Sequence, residues 1–135
     1  MSLFVDTSAW SLAFRRSAPS DAPVVGYLRE ALERGDEIFV TGLVLQELLQ
    51  GLRGPKKRAA LVDRFSVIPI IVPTLDDHVS AAALRNDCRR RGVQLGTIDA
   101  LFASLCIVRD LAMVTADRDF AHAARVTGLR LAVEP

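Results

Sequence analysis

The stretch "LFVDTSAW", Leu3–Trp10, decides the fold that the sequence predicts. Its apolar residues Leu3–Val5 form a short unbroken run, which is typical of a strand covered on both faces of a parallel sheet. Asp6 follows at once, and a carboxylate in that position is unfavourable to bury unless something compensates its charge. We therefore expect Asp6 either to cap a helix beginning at Thr7 or Ser8, or to belong to a chemical site.

The composition indicates one globular domain. Half of the 135 residues are hydrophobic, 24% are charged and the formal net charge is +1. These values exclude a disordered tail and give no overall field that would attract a polyanion. Cys88 and Cys106 lie far apart without metal-binding spacing, so we expect buried thiols. With no signal-peptide pattern and no bilayer-length apolar run, we expect a single domain over residues 1–135, in the cytoplasm.

Apolar runs alternate with helical patterns along the whole chain. Strands are predicted over residues 3–5, 37–41, 111–115 and 129–133, with an extended, proline-flanked edge segment over 67–73. Helices are predicted over residues 7–16, 23–34, 42–52, 55–65, 76–91, 97–109 and 119–128, with Thr41 and Thr97 as caps. Because strands alternate with helices, the sequence predicts an α/β domain with a largely parallel sheet.

Acidic residues recur where strands end or the following helices run. Since ligands of open α/β sheets bind outside the carboxyl ends of the strands, we expect these acids at one edge: Asp6, Glu47, Asp99, Asp117 and Asp119. Each also has a structural alternative. Asp6 could be only a cap, Glu47 a solvated edge residue, Asp99 a partner of the helix dipole, and Asp117 or Asp119 a turn or N-cap residue.

Together the acids indicate a cation site. Several neighbouring carboxylates cannot all stay ionised without a compensating cation, because like charges raise one another's pKa. Hard oxygen ligands without His or Cys suit Mg²⁺ or Mn²⁺, and such ions support displacement at phosphorus. His78 and His122 are expected to lie on the surface instead.

Four segments carry a family resemblance: "FVDTSAW" at 4–10, "LVLQELLQGL" at 43–52, "GTIDALFAS" at 96–104 and "MVTADRDF" at 113–120. In this order they resemble PIN-domain ribonucleases, above all the VapC-type toxins of bacterial toxin–antitoxin pairs. The resemblance covers essentially the whole chain. It implies a PIN-like α/β domain, with a five-stranded, largely parallel sheet flanked by helices on both faces. It also implies an endoribonuclease that depends on Mg²⁺, or possibly on Mn²⁺.

The same resemblance assigns site residues. It implies four catalytic acids: Asp6, Glu47, Asp99 and Asp117. Metal binding falls to Asp6, Asp99 and Asp117. Asp119 also fits the fourth acidic position, but Asp117 lies closer to the strand end, so Asp119 is expected as a further ligand or a helix cap. Thr7 and Thr115 are implied as supporting hydroxyls. With Asp6 in the site, any capping of the first helix is expected to pass to Thr7 or Ser8.

The resemblance further implies partners. These are an RNA substrate, a second copy of the chain in a homodimer, and a small VapB-type antitoxin whose C-terminal segment blocks the site. Basic runs at residues 53–58 and 85–92, and the pair Arg15 and Arg16, are either RNA contacts or solvated helix ends.

Other functions fit less well. Phosphatases of the haloacid-dehalogenase type also begin with an Asp at a strand end, but they need a second acid where this chain has Ser8. A non-toxin PIN nuclease, or a catalytically weak PIN module in RNA processing, is the remaining alternative. Degenerate modules usually lose acids, whereas this chain retains all of them.

Overall fold

The apolar run at the start of the chain forms the central strand of a parallel sheet. The computed structural model describes residues 1–15 and 21–135, and its five strands lie in the order β3-β2-β1-β4-β5, every neighbouring pair parallel. The strands are β1 (Ser2–Val5), β2 (Glu37–Thr41), β3 (Ile70–Ile71), β4 (Ala112–Val114) and β5 (Arg130–Leu131). The predicted five-stranded parallel sheet is therefore confirmed.

Helices connect the strands in chain order. They are α1 (Thr7–Ala13), α2 (Pro23–Arg34), α3 (Gly42–Gln50), α4 (Pro55–Phe65), α5 (Leu75–Arg90), α6 (Thr97–Val108) and α7 (Arg118–Ala124). The chain moves outward from β1 to β3 and then returns to β4 on the other side of β1. Because crossovers between parallel strands are right-handed, α1–α4 cover one face of the sheet and α5–α7 the other.

The central strand is fully enclosed. Leu3, Phe4 and Val5 have no exposed surface, and Phe4 packs against the ring of Phe102 from α6 at 5.1 Å between ring centroids. The pairing with β4 extends one residue further, because the Asp6 amide donates to the carbonyl of Val114 at 3.1 Å. Asp6 therefore leaves the sheet from a rigid, hydrogen-bonded position.

Aromatic side chains fill the space beneath α1. Trp10 stacks on Phe14, contacts Phe65 of α4 and donates its indole N–H to the carbonyl of Val5. Cys88 and Cys106 are buried free thiols, as predicted. Within the described parts of the chain, no helix is long and apolar enough to cross a membrane.

Some predicted boundaries were too wide. The extended segment over 67–73 pairs only at Ile70–Ile71, since Pro69 and Pro73 on either side lack an amide to donate. The first helix ends at Ala13, and Arg16, where its end was predicted, lies outside the described residues.

One predicted cap and one predicted helix start were wrong. Thr97 is the first residue of α6 rather than its cap, and the preceding Gly96 makes no side-chain capping bond. The helix predicted to start at Asp76 or Asp77 begins at Leu75, because Thr74 caps it. Thr74 and Asp77 form a reciprocal capping box, in which each side chain accepts the other's backbone N–H.

Asp77 also makes an ion pair that the sequence patterns did not predict. Arg109, at the end of α6, donates to both of its carboxylate oxygens at 2.8 and 2.9 Å. These charge-assisted bonds join the start of α5 to the end of α6, and they hold the pKa of Asp77 well below its usual range.

Replacing Asp77 with Asn is expected to lower the free energy of unfolding at pH 7, because the pair with Arg109 loses its charge. Because the pKa of Asp77 is lower in the folded state, its ionisation stabilises the fold. This stabilisation is complete above the unfolded-state pKa of about 4 and is lost as the pH falls from there through the folded-state pKa. Urea unfolding should therefore show a larger gap between the wild type and Asp77→Asn at pH 7 than at pH 3. Asp76→Asn, on the same turn but exposed, is the control. An equal gap at both pH values would contradict the assignment.

Candidate functional site

Acidic side chains meet at the carboxyl edge of the two central strands. Asp6 follows β1, Asp117 lies three residues beyond β4, and Asp99 and Asp119 stand in the first turns of α6 and α7. Between β1 and β4 the chain reverses its direction of winding, and such a switch point is where open α/β sheets bind ligands. The topology therefore gathers acids that are up to 113 positions apart in the sequence.

Three carboxylates are close enough to share one ion. Asp99, Asp117 and Asp119 each offer an oxygen, and these oxygens lie within 4.8 Å of one another. Asp99 and Asp117 are half-buried and Asp119 is exposed. The trio is therefore open to solvent on one side and anchored on the other.

The pKa of Asp99 responds to the charges of the other acids. Its burial, together with the charges of Asp117, Asp6, Asp119 and Glu47, raises its pKa to about 6. The four other predicted acids therefore all act on Asp99. The structure brings every one of them into a single cluster.

Asp6 is the most deeply held of these acids. Only 5% of its surface is exposed, and burial raises its pKa although three hydrogen bonds favour the ionised form. One of them comes from the Ala9 amide at 3.2 Å, so Asp6 is itself the N-cap of α1. The expectation that capping passes to Thr7 or Ser8 was wrong, because one carboxylate oxygen serves the helix while the other stays available.

Two threonines support different acids. Thr115 donates to Oδ2 of Asp6 at 2.8 Å and accepts the backbone N–H of Asp117 at 3.0 Å. Thr7 instead donates to Oε1 of Glu47 at 2.7 Å. It thereby links α1 to the half-buried Glu47 of α3. The hydroxyl that follows Asp6 in the sequence therefore orients Glu47 and not Asp6.

Asp117 is both a helix cap and a member of the acidic trio. Its Oδ1 accepts the Asp119 amide at 2.9 Å, so Asp117 is the N-cap of α7. Asp119, which was expected as a ligand or a cap, is not the cap, and its side chain stays in the acidic trio. The same short turn therefore fixes the Asp117 carboxylate and places Asp119 beside it.

Ser8 is the residue of this site that the sequence patterns missed. Its hydroxyl lies 2.7 Å from Oδ1 of Asp6, and it accepts the Ala116 amide at 2.9 Å. The signal available in the sequence is a second hydroxyl two residues after the strand-end acid. Only the pairing of β1 with β4 shows what that hydroxyl reaches.

No protein cation neutralises the cluster within residues 1–15 and 21–135. Every ion pair found there joins other residues: Glu30, Asp36, Asp77, Asp87 and Asp110 supply the acids. Five converging carboxylates thus lack a basic partner in the described part of the chain. Oxygen donors alone, without His or Cys, are the ligand set that Mg²⁺ and Mn²⁺ prefer.

The two predicted basic runs differ in how many of their side chains are bonded to the rest of the chain. In the run at 53–58, all four basic side chains are exposed: Arg53, Lys56, Lys57 and Arg58. In the run at 85–92, Arg85 donates to the carbonyl of Leu95, while Arg90 and Arg91 pair with Asp87. The second run is therefore partly committed to its own fold. His78 and His122 are exposed, as expected.

Comparison with known proteins adds the family. The PIN domain profile matches residues 3–126. A VapC ribonuclease of Mycobacterium bovis and ribonuclease VapC11 of Mycobacterium tuberculosis are each 30% identical over 132 residues, which is 96% of this chain and 97% of theirs.

Solved structures share the fold. A VapBC2 complex of Rickettsia felis bound to a promoter DNA fragment contains a chain with a TM-score of 0.75 and 21% identity, and the match covers 97% of both chains. Mycobacterium tuberculosis VapC20, a toxin that cleaves the sarcin–ricin loop, gives a TM-score of 0.67 and 20% identity, covering 95% of this chain and 98% of its own. The chain therefore belongs to the PIN-domain family, among its VapC ribonucleases.

Proposed function

We propose that this chain is a divalent-cation-dependent endoribonuclease, the toxin of a type II toxin–antitoxin pair. The observation that carries the proposal is the cluster of five carboxylates at the β1–β4 switch point, with no basic partner in the described residues. A PIN-domain chain that had lost its nuclease activity would not need to maintain this repulsion. The catalytic acids proposed are Asp6, Glu47, Asp99 and Asp117.

The cation proposed is Mg²⁺, with Mn²⁺ as an alternative. Asp6, Asp99, Asp117 and Asp119 are the proposed ligands. The half-open trio of acids suits an ion that keeps several of its waters. When bound, such an ion activates water and stabilises charge that develops at a phosphodiester.

The residues divide the remaining work. Asp99 and Asp117 bind the cation. Asp6, which its hydrogen bonds keep in one position, determines where the cation lies. Glu47, oriented by Thr7, orients the attacking water and accepts its proton. The products would carry a 5′-phosphate and a 3′-hydroxyl.

RNA must approach an acidic site, so cations elsewhere must attract its backbone. The exposed residues Arg53, Lys56, Lys57 and Arg58 are the best suited, because their charges are not used in ion pairs of the described chain. We place the RNA path along this start of α4.

The relatives support the toxin role. Several solved neighbours are toxin–antitoxin complexes, including a VapBC of Salmonella typhimurium bound to DNA. We propose a homodimer in the cytoplasm, inhibited by a small VapB-type antitoxin. An antitoxin arginine placed among the acids would supply the positive charge that the cluster lacks.

Loss of one carboxylate is the direct test of the site. Asp6→Asn and Asp99→Asn are each expected to lower Mg²⁺-dependent RNA cleavage by about 100-fold or more, because even indirect loss of ligand support costs roughly 10–100-fold. Cleavage of a labelled RNA with Mg²⁺ or with EDTA measures this. Glu30→Gln, an exposed acid on α2, should cleave normally. Full activity in both Asn variants would contradict the assignment.

Cation binding should weaken in acid. Protonation of Asp99, whose pKa is raised to about 6, competes with the cation, so binding is favoured above pH 6 and lost below it. At Mn²⁺ of 100 times its Kd, the stabilisation at pH 7.5 is expected to be about 2.7 kcal/mol.

Thermal unfolding with Mn²⁺ or EDTA, at pH 7.5 and pH 5, measures the effect. The rise in Tm should be clearly smaller at pH 5, and Asp99→Asn should show little rise at either pH. Equal rises in the wild type at both pH values would contradict a role for Asp99 in binding.

Growth distinguishes a toxin from a stand-alone processing enzyme. Induced expression in a bacterial host is expected to arrest growth, and Asp99→Asn should abolish the arrest at equal protein level. Co-expression of a small antitoxin gene from the neighbouring reading frame should restore growth. Active nuclease without growth arrest would favour the processing enzyme.

A further inference from the structure

Ser8 connects the two central strands at the site. It is the second residue of α1, and its hydroxyl donates to Oδ1 of Asp6 at 2.7 Å. The same oxygen accepts the backbone N–H of Ala116 at 2.9 Å. A hydroxyl has one proton, so the amide fixes Ser8 as an acceptor on one side and leaves its proton for the carboxylate.

Thr115 repeats this arrangement on the other oxygen. It accepts the Asp117 N–H at 3.0 Å and donates to Oδ2 of Asp6 at 2.8 Å. Two successive amides after β4 therefore each reach Asp6 through one hydroxyl. The two hydroxyl oxygens lie 3.2 Å apart, side by side.

These bonds use most of the accepting capacity of Asp6. A carboxylate offers about four lone-pair positions, two on each oxygen. Among the described residues, Oδ1 accepts from the Ser8 hydroxyl and the Ala9 amide, whereas Oδ2 accepts only from Thr115. One free position remains, and it is on Oδ2.

We propose that Ser8 is a positioning residue of the cation site, which holds Asp6 so that it binds a cation through Oδ2 alone. This inference rests on the cation site of the proposed function and deepens it. Ser8 also ties Asp6 to the segment that leads into Asp117, so it sets the spacing between two proposed ligands. A single-oxygen contact suits Mg²⁺, which demands near-octahedral geometry.

Without the hydroxyl, the site loses two contacts. Oδ1 of Asp6 would keep only the Ala9 amide, and the Ala116 amide would lose its acceptor. The carboxylate could then rotate and expose either oxygen. Losing such an outer partner typically lowers metal affinity by about 10–100-fold.

The test compares Mn²⁺ affinity among serine variants by isothermal titration calorimetry at pH 7.5. Ser8→Ala is expected to raise the Kd at least about tenfold. Ser8→Thr keeps the hydroxyl and should bind close to the wild-type affinity. Ser11→Ala, an exposed serine on the same helix, is the matched control and should not change the Kd. Thermal unfolding in EDTA checks that every variant is folded at the titration temperature.

Each result decides between the proposals. Weaker binding by Ser8→Ala, restored in Ser8→Thr, supports the positioning role. Wild-type affinity in Ser8→Ala overturns it, and so does equal weakening in Ser8→Ala and Ser8→Thr, since the hydroxyl would then not be responsible. A wild type that binds no Mn²⁺ would instead refute the cation site of the proposed function.

Discussion

Repulsion among carboxylates at one edge of the sheet is the constraint on which the site depends. Five acids converge where β1 and β4 end, and the part of the chain that the structure describes supplies no basic side chain to pair with them. Burial and, after it, the charges of the neighbouring acids raise the pKa of Asp99. An arrangement of this kind is stable in its ionised form only with an external positive charge, from a cation or from a partner's arginine.

The fold keeps these acids in place by giving them structural roles as well. Asp6 and Asp117 each cap a helix, so the backbone fixes one of their oxygens. Hydroxyls fix others: Ser8 and Thr115 hold Asp6, and Thr7 holds Glu47. The cap role of Asp6 is therefore compatible with a role in the proposed cation site. A capping carboxylate has a second oxygen, and the hydrogen-bonded cap holds that oxygen in a fixed position where it can contact a ligand.

The family membership and the acidic cluster are two independent observations on this chain. The PIN-domain match and the VapC relatives show what kind of protein this is, and neighbours at about 20% identity show its fold. The acidic geometry belongs to this chain itself. The cation, the RNA and the antitoxin are proposals that join the two, and each rests on charge: a cation for the acids, and exposed basic residues on α4 for the phosphates.

The sequence by itself determined the succession of strands and helices along the chain and the choice of the five acids as site candidates, because apolar periodicity and residue type are local properties. Helix caps were less predictable: Thr97 was expected to cap a helix that Gly96 caps, and Asp76 or Asp77 to begin one that starts at Leu75. The bond between Asp77 and Arg109, and the reach of Ser8 to Ala116, join residues 32 and 108 positions apart. Only the tertiary structure decided these contacts, since a hydrogen bond needs two groups within about 3 Å, and helix packing in the first case and strand pairing in the second bring such distant groups together.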